Sequence, residues 1–435
     1  VGLVYLMRLF FLQVLDNSYK NSADNNVIRI ITDYPSRGLI YDRKGRLLVY
    51  NEPVYDLMII PKQARNLDTL ELCGLIGITK EDYIAKFQKA RAYSPVKPSL
   101  FEKQLSVETY ATLQEKLYKF PGFFVEPRTL RKYPKPVAAH LFGYIGEVDS
   151  ATTRKNPYYK EGDYIGKSGV ELSYEEALRG KRGSHRVMVD VFNREKGKFQ
   201  NGRFDTVAVA GENLTLTIDA KLQEYGEQLL ANKVGSVVAI EPATGEILCM
   251  VSSPAYDPNL LVGRSRTKNY GRLLVDPLKP LFNRSQMALY PPGSTFKLVM
   301  ALLAQQDGVL FPTTRYPCAH GYPPMGGKPK CHPHASPLDL QWSITQSCNS
   351  YYSYVFRSVI DNRKFGNTEA AFTHWREAIA KFGIGVKLDS DLPSVLRGSV
   401  PTIAYYDKYF GKGSWKSSTI ISLGIGQGEL GITPL

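Results

Sequence analysis

Across 435 residues the chain has no apolar run of the roughly 18–20 residues needed for a full membrane span, which excludes a polytopic membrane protein. Its 5 cysteines are too few for a disulfide-built scaffold, and their odd number leaves at least one unpaired within the chain. No internal repeat is present, so solenoid and propeller architectures drop out. No basic cluster is interleaved with aromatics, which removes the usual footprint of a nucleic-acid partner. What remains is globular composition, 43% hydrophobic and 22% charged, at a length that predicts two to four domains. Lys and Arg number 55 against 41 Asp and Glu, and the resulting +14 suits an anionic membrane surface or acidic polymer.

Residues Val1–Leu15 are apolar except for Arg8 and Gln13. As a helix they would cover about 22 Å, short of the roughly 30 Å hydrocarbon core. The chain begins with Val1 rather than Met, so this stretch reads as the carboxy-terminal part of a transmembrane anchor helix, with Arg8 snorkelling. An amphipathic surface helix or a signal-peptide remnant is the alternative. Asp16–Asn26 is a polar linker, and 16–212 reads as linker and pedestal. There, short β-branched runs alternate with turns, including a hairpin on Asp42-Arg43-Lys44-Gly45. Helical periodicity marks Glu108–Lys119 and Gly169–Leu178, and Lys196–Thr206 reads as an exposed loop. A boundary falls near Gly211–Asn213. Beyond it come a strand, a helix capped by Asp219, and a hairpin over Val237–Val251.

Ser-x-x-Lys occurs at Ser94–Lys97, Ser265–Lys268 and Ser294–Lys297. Prolines disfavour a helix at the first, and the second lies in a polar run that reads as exposed loop. The third follows Tyr290-Pro291-Pro292-Gly293 and opens an apolar helix that stops at Gly308. Apolar nearly all round, that helix should be buried, so Lys297 needs a partner or a depressed pKa. The i, i+3 spacing sets its amine beside the Ser294 hydroxyl, where a neutral lysine could take the serine proton. A capping serine with a snorkelling lysine is the plain alternative. Ser347-Cys348-Asn349, the sole Ser-x-Asn, sits about fifty residues downstream in a helix-like stretch and supplies a hydroxyl and an amide. Together the two motifs form part of a three-motif signature of penicillin-recognising acyl enzymes.

With these motifs the chain resembles the class B penicillin-binding proteins, membrane-anchored D,D-transpeptidases. The likeness extends to Arg37-Gly38-Leu39-Ile40-Tyr41-Asp42-Arg43, to Arg131-x-Tyr133-Pro134 and His140-x-x-Gly143-Tyr144, and to Gly166-x-x-Gly169-x-Glu171. Gly424-Ile425-Gly426-Gln427-Gly428 with Thr433-Pro434-Leu435 complete it, and Tyr-Pro-Pro-Gly-Ser resembles the elongation-type members, penicillin-binding protein 2. The resemblance implies an α+β fold, with a β-rich amino-terminal pedestal of the dimerisation type. A serine β-lactamase-like transpeptidase domain follows over 213–435, an antiparallel sheet flanked by helices. It implies peptidoglycan cross-linking during elongation: Ser294 as nucleophile, Lys297 as base, Ser347 and Asn349 as second motif, stem peptides and β-lactams as ligands. It further implies a single-pass bacterial inner-membrane protein with a periplasmic ectodomain, a polytopic lipid II polymerase and an elongation-complex scaffold as partners, and no organic cofactor. The family's third motif, Lys-Thr/Ser-Gly, should follow the segment at which this chain stops. Lys167-Ser168-Gly169 precedes the nucleophile and reads as a decoy, so the expected domain is truncated. A noncatalytic pedestal regulating a glycosyltransferase and a β-lactamase or β-lactam sensor are the competing readings.

Cys318, Cys331 and His334 fall in or beside a Gly- and Pro-rich loop between the two motifs and Cys348 within the second, with His320 and His332 as spare ligands. Three thiolates and an imidazole suit a closed tetrahedral zinc site, which would staple a loop with little apolar content. A Cys318–Cys331 disulfide with Cys348 as a buried thiol is the alternative. Zinc would tie Cys348 to Ser347 and Asn349. Cys73 and Cys249 read as buried apolar positions.

Overall fold

A computed structural model describes residues 28–160, 162–189 and 195–435. The expected anchor at 1–15 and most of the linker lie outside the described residues. No described helix is long and apolar enough to cross a membrane. The chain divides into two compact units: the first takes residues up to Tyr225 with Glu241–Cys249 and Ala255–Leu281, the second Gly226–Ile240, Met250–Pro254 and Phe282–Leu435. The α+β expectation holds.

The first unit is rich in strands. The β-branched run Ile28–Asp33 pairs antiparallel with Gly183–Val189, which pairs in turn with Glu195–Lys198. That last strand lies where Lys196–Thr206 was expected to be loop; its residues are exposed, so pairing rather than burial makes it a strand. The strand Leu47–Ile59 is the spine of a five-stranded sheet, flanked by Ile40–Tyr41, Ser99–Leu105 and Phe123–Lys132. The expected turn forms between the first two, where buried Asp42 accepts the backbone N–H groups of Lys44 and Arg46, both at 2.8 Å. Helices Thr69–Ile76, Lys80–Tyr93 and Val107–Lys116 supply Leu72, Cys73, Ile76, Tyr83 and Leu113 to a core that includes Leu57, Ile59 and Phe123 of the sheet. Arg266–Val275 is a helix that takes in most of the polar run expected as loop, and its buried residue is Leu273, just beyond that run.

Three motifs noted in the sequence converge on one buried carboxylate. Glu171 receives Arg131 Nε at 2.7 Å on one oxygen and Arg37 Nη2 at 2.7 Å on the other. Arg37 also reaches Glu175 at 2.7 Å, and Arg131 donates to the Gly38 carbonyl at 2.7 Å. Burial alone would raise the Glu171 pKa; the two guanidiniums overcome it and hold the carboxyl below its ordinary range.

The second unit is mainly helical. Phe296–Gln306, Asn349–Ile360 and Thr368–Ala380 pack around Met300, Tyr352, Val355, Phe356 and Trp375. Trp375 donates its indole N–H to Met300 Sδ at 3.0 Å, and Phe356 meets the Trp375 ring edge-on at 5.7 Å. The Phe296–Gln306 helix is buried on one side only. Leu298 and Leu302 are 52% and 55% exposed, against the expectation of burial all round, because its helical partners contact the Phe296–Met300–Leu303 face.

Replacing Glu171 by Gln should destabilise the first unit by about 3–5 kcal/mol, since the buried Arg131 loses its counter-charge and Arg37 is left with Glu175 alone. Because its folded pKa is depressed, the Glu171 contribution should be complete at neutral pH. It should fade as pH falls below the unfolded carboxyl value and through the lower folded one. Denaturant unfolding at pH 7 and in acid, wild type against Glu171→Gln, measures both.

Candidate active site

The sequence sets up the turn at Ser294. Pro291 and Pro292 enter it, Gly293 takes φ +59°, and the 3-10 turn Gly293–Thr295 runs directly into the helix Phe296–Gln306. Thr295 Oγ1 closes the turn by donating to the Pro292 carbonyl at 2.7 Å. Ser294 is exposed, and its hydroxyl has no hydrogen-bond partner among the described residues. It does not cap the helix.

Lys297 is 3% exposed, so it does not snorkel. Its ammonium donates to the Ser347 carbonyl at 2.6 Å, to Ser347 Oγ at 3.1 Å and to Asn349 Oδ1 at 2.7 Å. Three protons meet three acceptors, which is what a buried ammonium requires. The two motifs are thereby joined, although no hydrogen bond links Lys297 to Ser294. The Tyr352 ring lies 5.7 Å from Nζ. Burial pulls the lysine pKa below its ordinary value, while Cys331 and Cys348 pull the other way.

Ser-x-Asn does not sit within one helix, as its surroundings suggested. The helix Leu340–Thr345 ends before it, Ser347 takes φ +48°, and a new helix begins at Asn349. Cys348 is the cap, its Sγ accepting the Tyr351 N–H at 3.3 Å. A left-handed serine is costly, and here the break is what turns the Ser347 carbonyl and hydroxyl toward Lys297. Asn349 is held three ways. Its side-chain oxygen faces Lys297, its Nδ2 donates to the Lys330 carbonyl at 2.8 Å, and its backbone N–H meets Cys331 Sγ at 3.4 Å. Sequence reasoning linked the cysteine loop to this motif through Cys348 alone. It named Cys331 as a metal ligand but missed the Cys331 sulfur and the Lys330 carbonyl as partners of Asn349, contacts that leave no signal in local sequence.

The ligand atoms of Cys318, Cys331, His334 and Cys348 lie within 4.8 Å of one another. His334 Nδ1 pairs with the Ala335 carbonyl at 2.7 Å, which assigns the proton to Nδ1 and leaves the Nε2 lone pair facing Cys331 Sγ at 3.4 Å. Burial pushes the Cys348 thiol up to about 12 and raises Cys318 as well. At Cys331 burial acts the same way but is outweighed by hydrogen bonds to the sulfur, that of the Asn349 N–H foremost, so its pKa is lowered. Three thiolates this close together would repel strongly without a cation between them. Backbone N–H groups on two sulfurs and an oriented imidazole are what a tetrahedral divalent site needs, so the residues fit zinc. The five cysteines are unpaired, and Cys73 and Cys249 are buried as expected. His320 and His332 fall outside the cluster. The decoy Lys167-Ser168-Gly169 lies in the first unit, where Lys167 N–H donates to the Tyr144 carbonyl at 2.9 Å.

The penicillin-binding protein dimerisation domain model matches residues 32–216, and the penicillin-binding protein transpeptidase domain model matches 235–435. The peptidoglycan D,D-transpeptidase MrdA of Haemophilus influenzae is 33% identical over 99% of this chain and 66% of its own length. The protein of the same name from Escherichia coli is 34% identical over 99% and 68%. The chain spans about two thirds of the length of these relatives. Among solved structures, the complex of PBP2 and MreC from Helicobacter pylori shares the fold at a TM-score of 0.75 and 24% identity, over 94% of this chain and 75% of that one. Pseudomonas aeruginosa PBP2 in complex with WCK 5153 gives 0.63 and 26%, over 93% and 68%.

Asn349→Ala removes one acceptor from a buried ammonium and the tie to the Lys330 carbonyl. It should cost about 1.5–3 kcal/mol in denaturant unfolding. A cost within experimental error of zero would mean that Lys297 finds its third partner elsewhere.

Proposed function

The chain belongs to the penicillin-binding proteins, in the branch of peptidoglycan D,D-transpeptidases named MrdA, and on that premise we propose that its second unit performs serine acyl transfer on peptidoglycan stem peptides. The observation that carries this reading is the Lys297 ammonium, buried and bonded at 3.1 and 2.7 Å to side chains fifty residues away. We assign Ser294 as nucleophile, Lys297 as base, and Ser347 and Asn349 as the second motif.

In its neutral form, favoured by burial, Lys297 keeps two N–H donors for its three acceptors and frees a lone pair. That lone pair takes the Ser294 proton as Oγ attacks the carbonyl carbon of the terminal D-Ala–D-Ala bond. The tetrahedral adduct collapses, the C–N bond breaks, and the departing D-alanine amine receives a proton through Ser347 Oγ, which lies 3.1 Å from Lys297. The amine of a neighbouring stem then attacks the ester, gives up its proton by the reverse route, and regenerates Ser294. A β-lactam enters the first half of this sequence and stays attached.

The cysteine loop positions rather than reacts. We propose that Cys318, Cys331, His334 and Cys348 bind one structural zinc, which neutralises the thiolate charge and fixes the loop that holds Asn349. The pedestal and transpeptidase boundaries, 16–212 and 213–435, are proposed as read from the sequence. So are a single-pass inner-membrane anchor, a periplasmic ectodomain, a polytopic lipid II polymerase partner and an elongation scaffold. The Helicobacter pylori neighbour, solved with MreC, supports a scaffold of that kind.

Fluorescent penicillin should label the full-length protein at Ser294, with no adduct in Ser294→Ala and an acylation rate roughly 10²–10⁴-fold lower in Lys297→Ala. An unlabelled wild type would leave a noncatalytic scaffold, and rapid release of the adduct a β-lactamase. For the metal, elemental analysis should find one zinc per chain, with all five thiols free after denaturation in chelator. Chelation should lower the melting temperature and slow acylation; two missing thiols and no zinc would instead identify the disulfide.

A further inference from the structure

The chemistry above gives no role to Gly424-Ile425-Gly426-Gln427-Gly428, yet this segment touches both halves of the site. The Gly426 carbonyl accepts the Gly293 N–H at 2.8 Å, directly beside the nucleophile. Gly426 takes φ +68°, and a Cβ there would stand 2.3 Å from the Gly293 carbonyl oxygen and 2.7 Å from Phe296 Cβ. On the other side, a Cβ on Gly424 would stand 2.5 Å from Phe356 Cβ and 3.0 Å from the Tyr352 carbonyl, on the helix that starts at Asn349. Both positions allow backbone to approach backbone as only glycine can. The flank is stitched as well: Tyr290 and Ile432 exchange two backbone hydrogen bonds of 2.9 Å. Leu423 and Ile425 anchor the segment in the core shared with Phe356 and Met300.

Ser294 itself is exposed, and among the described residues no hydrogen bond holds its hydroxyl. Its place is set by the backbone of the turn, and that turn leans on Gly426. We propose that Gly424 and Gly426 are positioning residues for the acyl-transfer reaction. They form a backbone strap that fixes the Ser294 turn against the helix carrying Asn349, and so sets the nucleophile relative to Lys297 and Ser347. A displacement near 1 Å at a reacting atom costs on the order of 10²-fold, so a Cβ wedged at 2.3 Å should be felt in rate before affinity. The inference rests on the acyl-transfer reading.

Gly428 provides the matched control. It shares the left-handed backbone at φ +75°, but a Cβ there would meet only Ser422 Cβ at 3.5 Å and Leu423 Cδ2 at 3.8 Å. Gly428→Ala therefore carries a similar backbone cost without the wedge. In the full-length protein, Gly426→Ala should lower the first-order penicillin acylation rate at least tenfold while the noncovalent dissociation constant stays within twofold. Gly428→Ala should keep both within twofold of wild type. Equal losses in the two variants, or a wild-type rate in Gly426→Ala, would overturn the strap. Hydrogen exchange gives an independent reading, including where a variant does not fold. The wild-type Gly293 amide should be protected comparably to core amides of the Asn349–Ile360 helix, and an unprotected Gly293 amide would equally overturn the proposal. Failure of wild type to acylate would refute the acyl-transfer reading alone, because the exchange measurement still decides whether the strap exists.

Discussion

Lys297 places a positive charge in the apolar packing between the helices Phe296–Gln306 and Asn349–Ile360, and the local architecture supplies what that charge requires. One acceptor is a side-chain amide, one a hydroxyl and one a main-chain carbonyl. An unbroken helix would spend the Ser347 carbonyl on its own ladder. The break there frees it, and the Cys348 thiol caps the helix that follows. Removing any one acceptor leaves a desolvated donor, so the two motifs are coupled by the cost of separating them. The same burial that makes the lysine demanding lowers its pKa, the direction that the proposed role of base requires.

The cysteine cluster extends that coupling outward. Asn349 faces Lys297 with its side-chain oxygen and the loop with its remaining donors, through the Lys330 carbonyl and Cys331 Sγ. A loop this poor in apolar residues has little to pack, and a metal held by Cys318, Cys331, His334 and Cys348 would supply the constraint that a core otherwise gives. The first unit solves a related problem with charge pairs. Glu171, between Arg131 and Arg37, gathers three separate chain segments around one carboxylate.

Much of this was legible in the sequence because chemistry-bearing residues sat at short, fixed spacings. Pro291, Pro292 and Gly293 announced the turn before Ser294, Asp219 announced its helix, and the cysteine spacing announced a cluster that the structure gathers within 4.8 Å. What escaped was set by long-range contact. The periodicity near Ser347 ran on as one helix, since a left-handed serine leaves no trace in composition. The apolar sequence of Phe296–Gln306 spoke for burial, but Leu298 and Leu302 face outward because burial depends on which neighbours are present. Arg37, Arg131 and Glu171 each stood out, while their meeting is a fact of topology rather than of spacing.

The most direct test of the account is the pH dependence of penicillin acylation at Ser294 in the full-length protein. A buried, neutralisable Lys297 acting as base predicts a rate that rises with pH along a limb whose midpoint lies below the ordinary lysine value of 10.5. Lys297→Ala should lack that limb. A midpoint at or above 10.5, or the same limb in the variant, would contradict the assignment of Lys297 as the base.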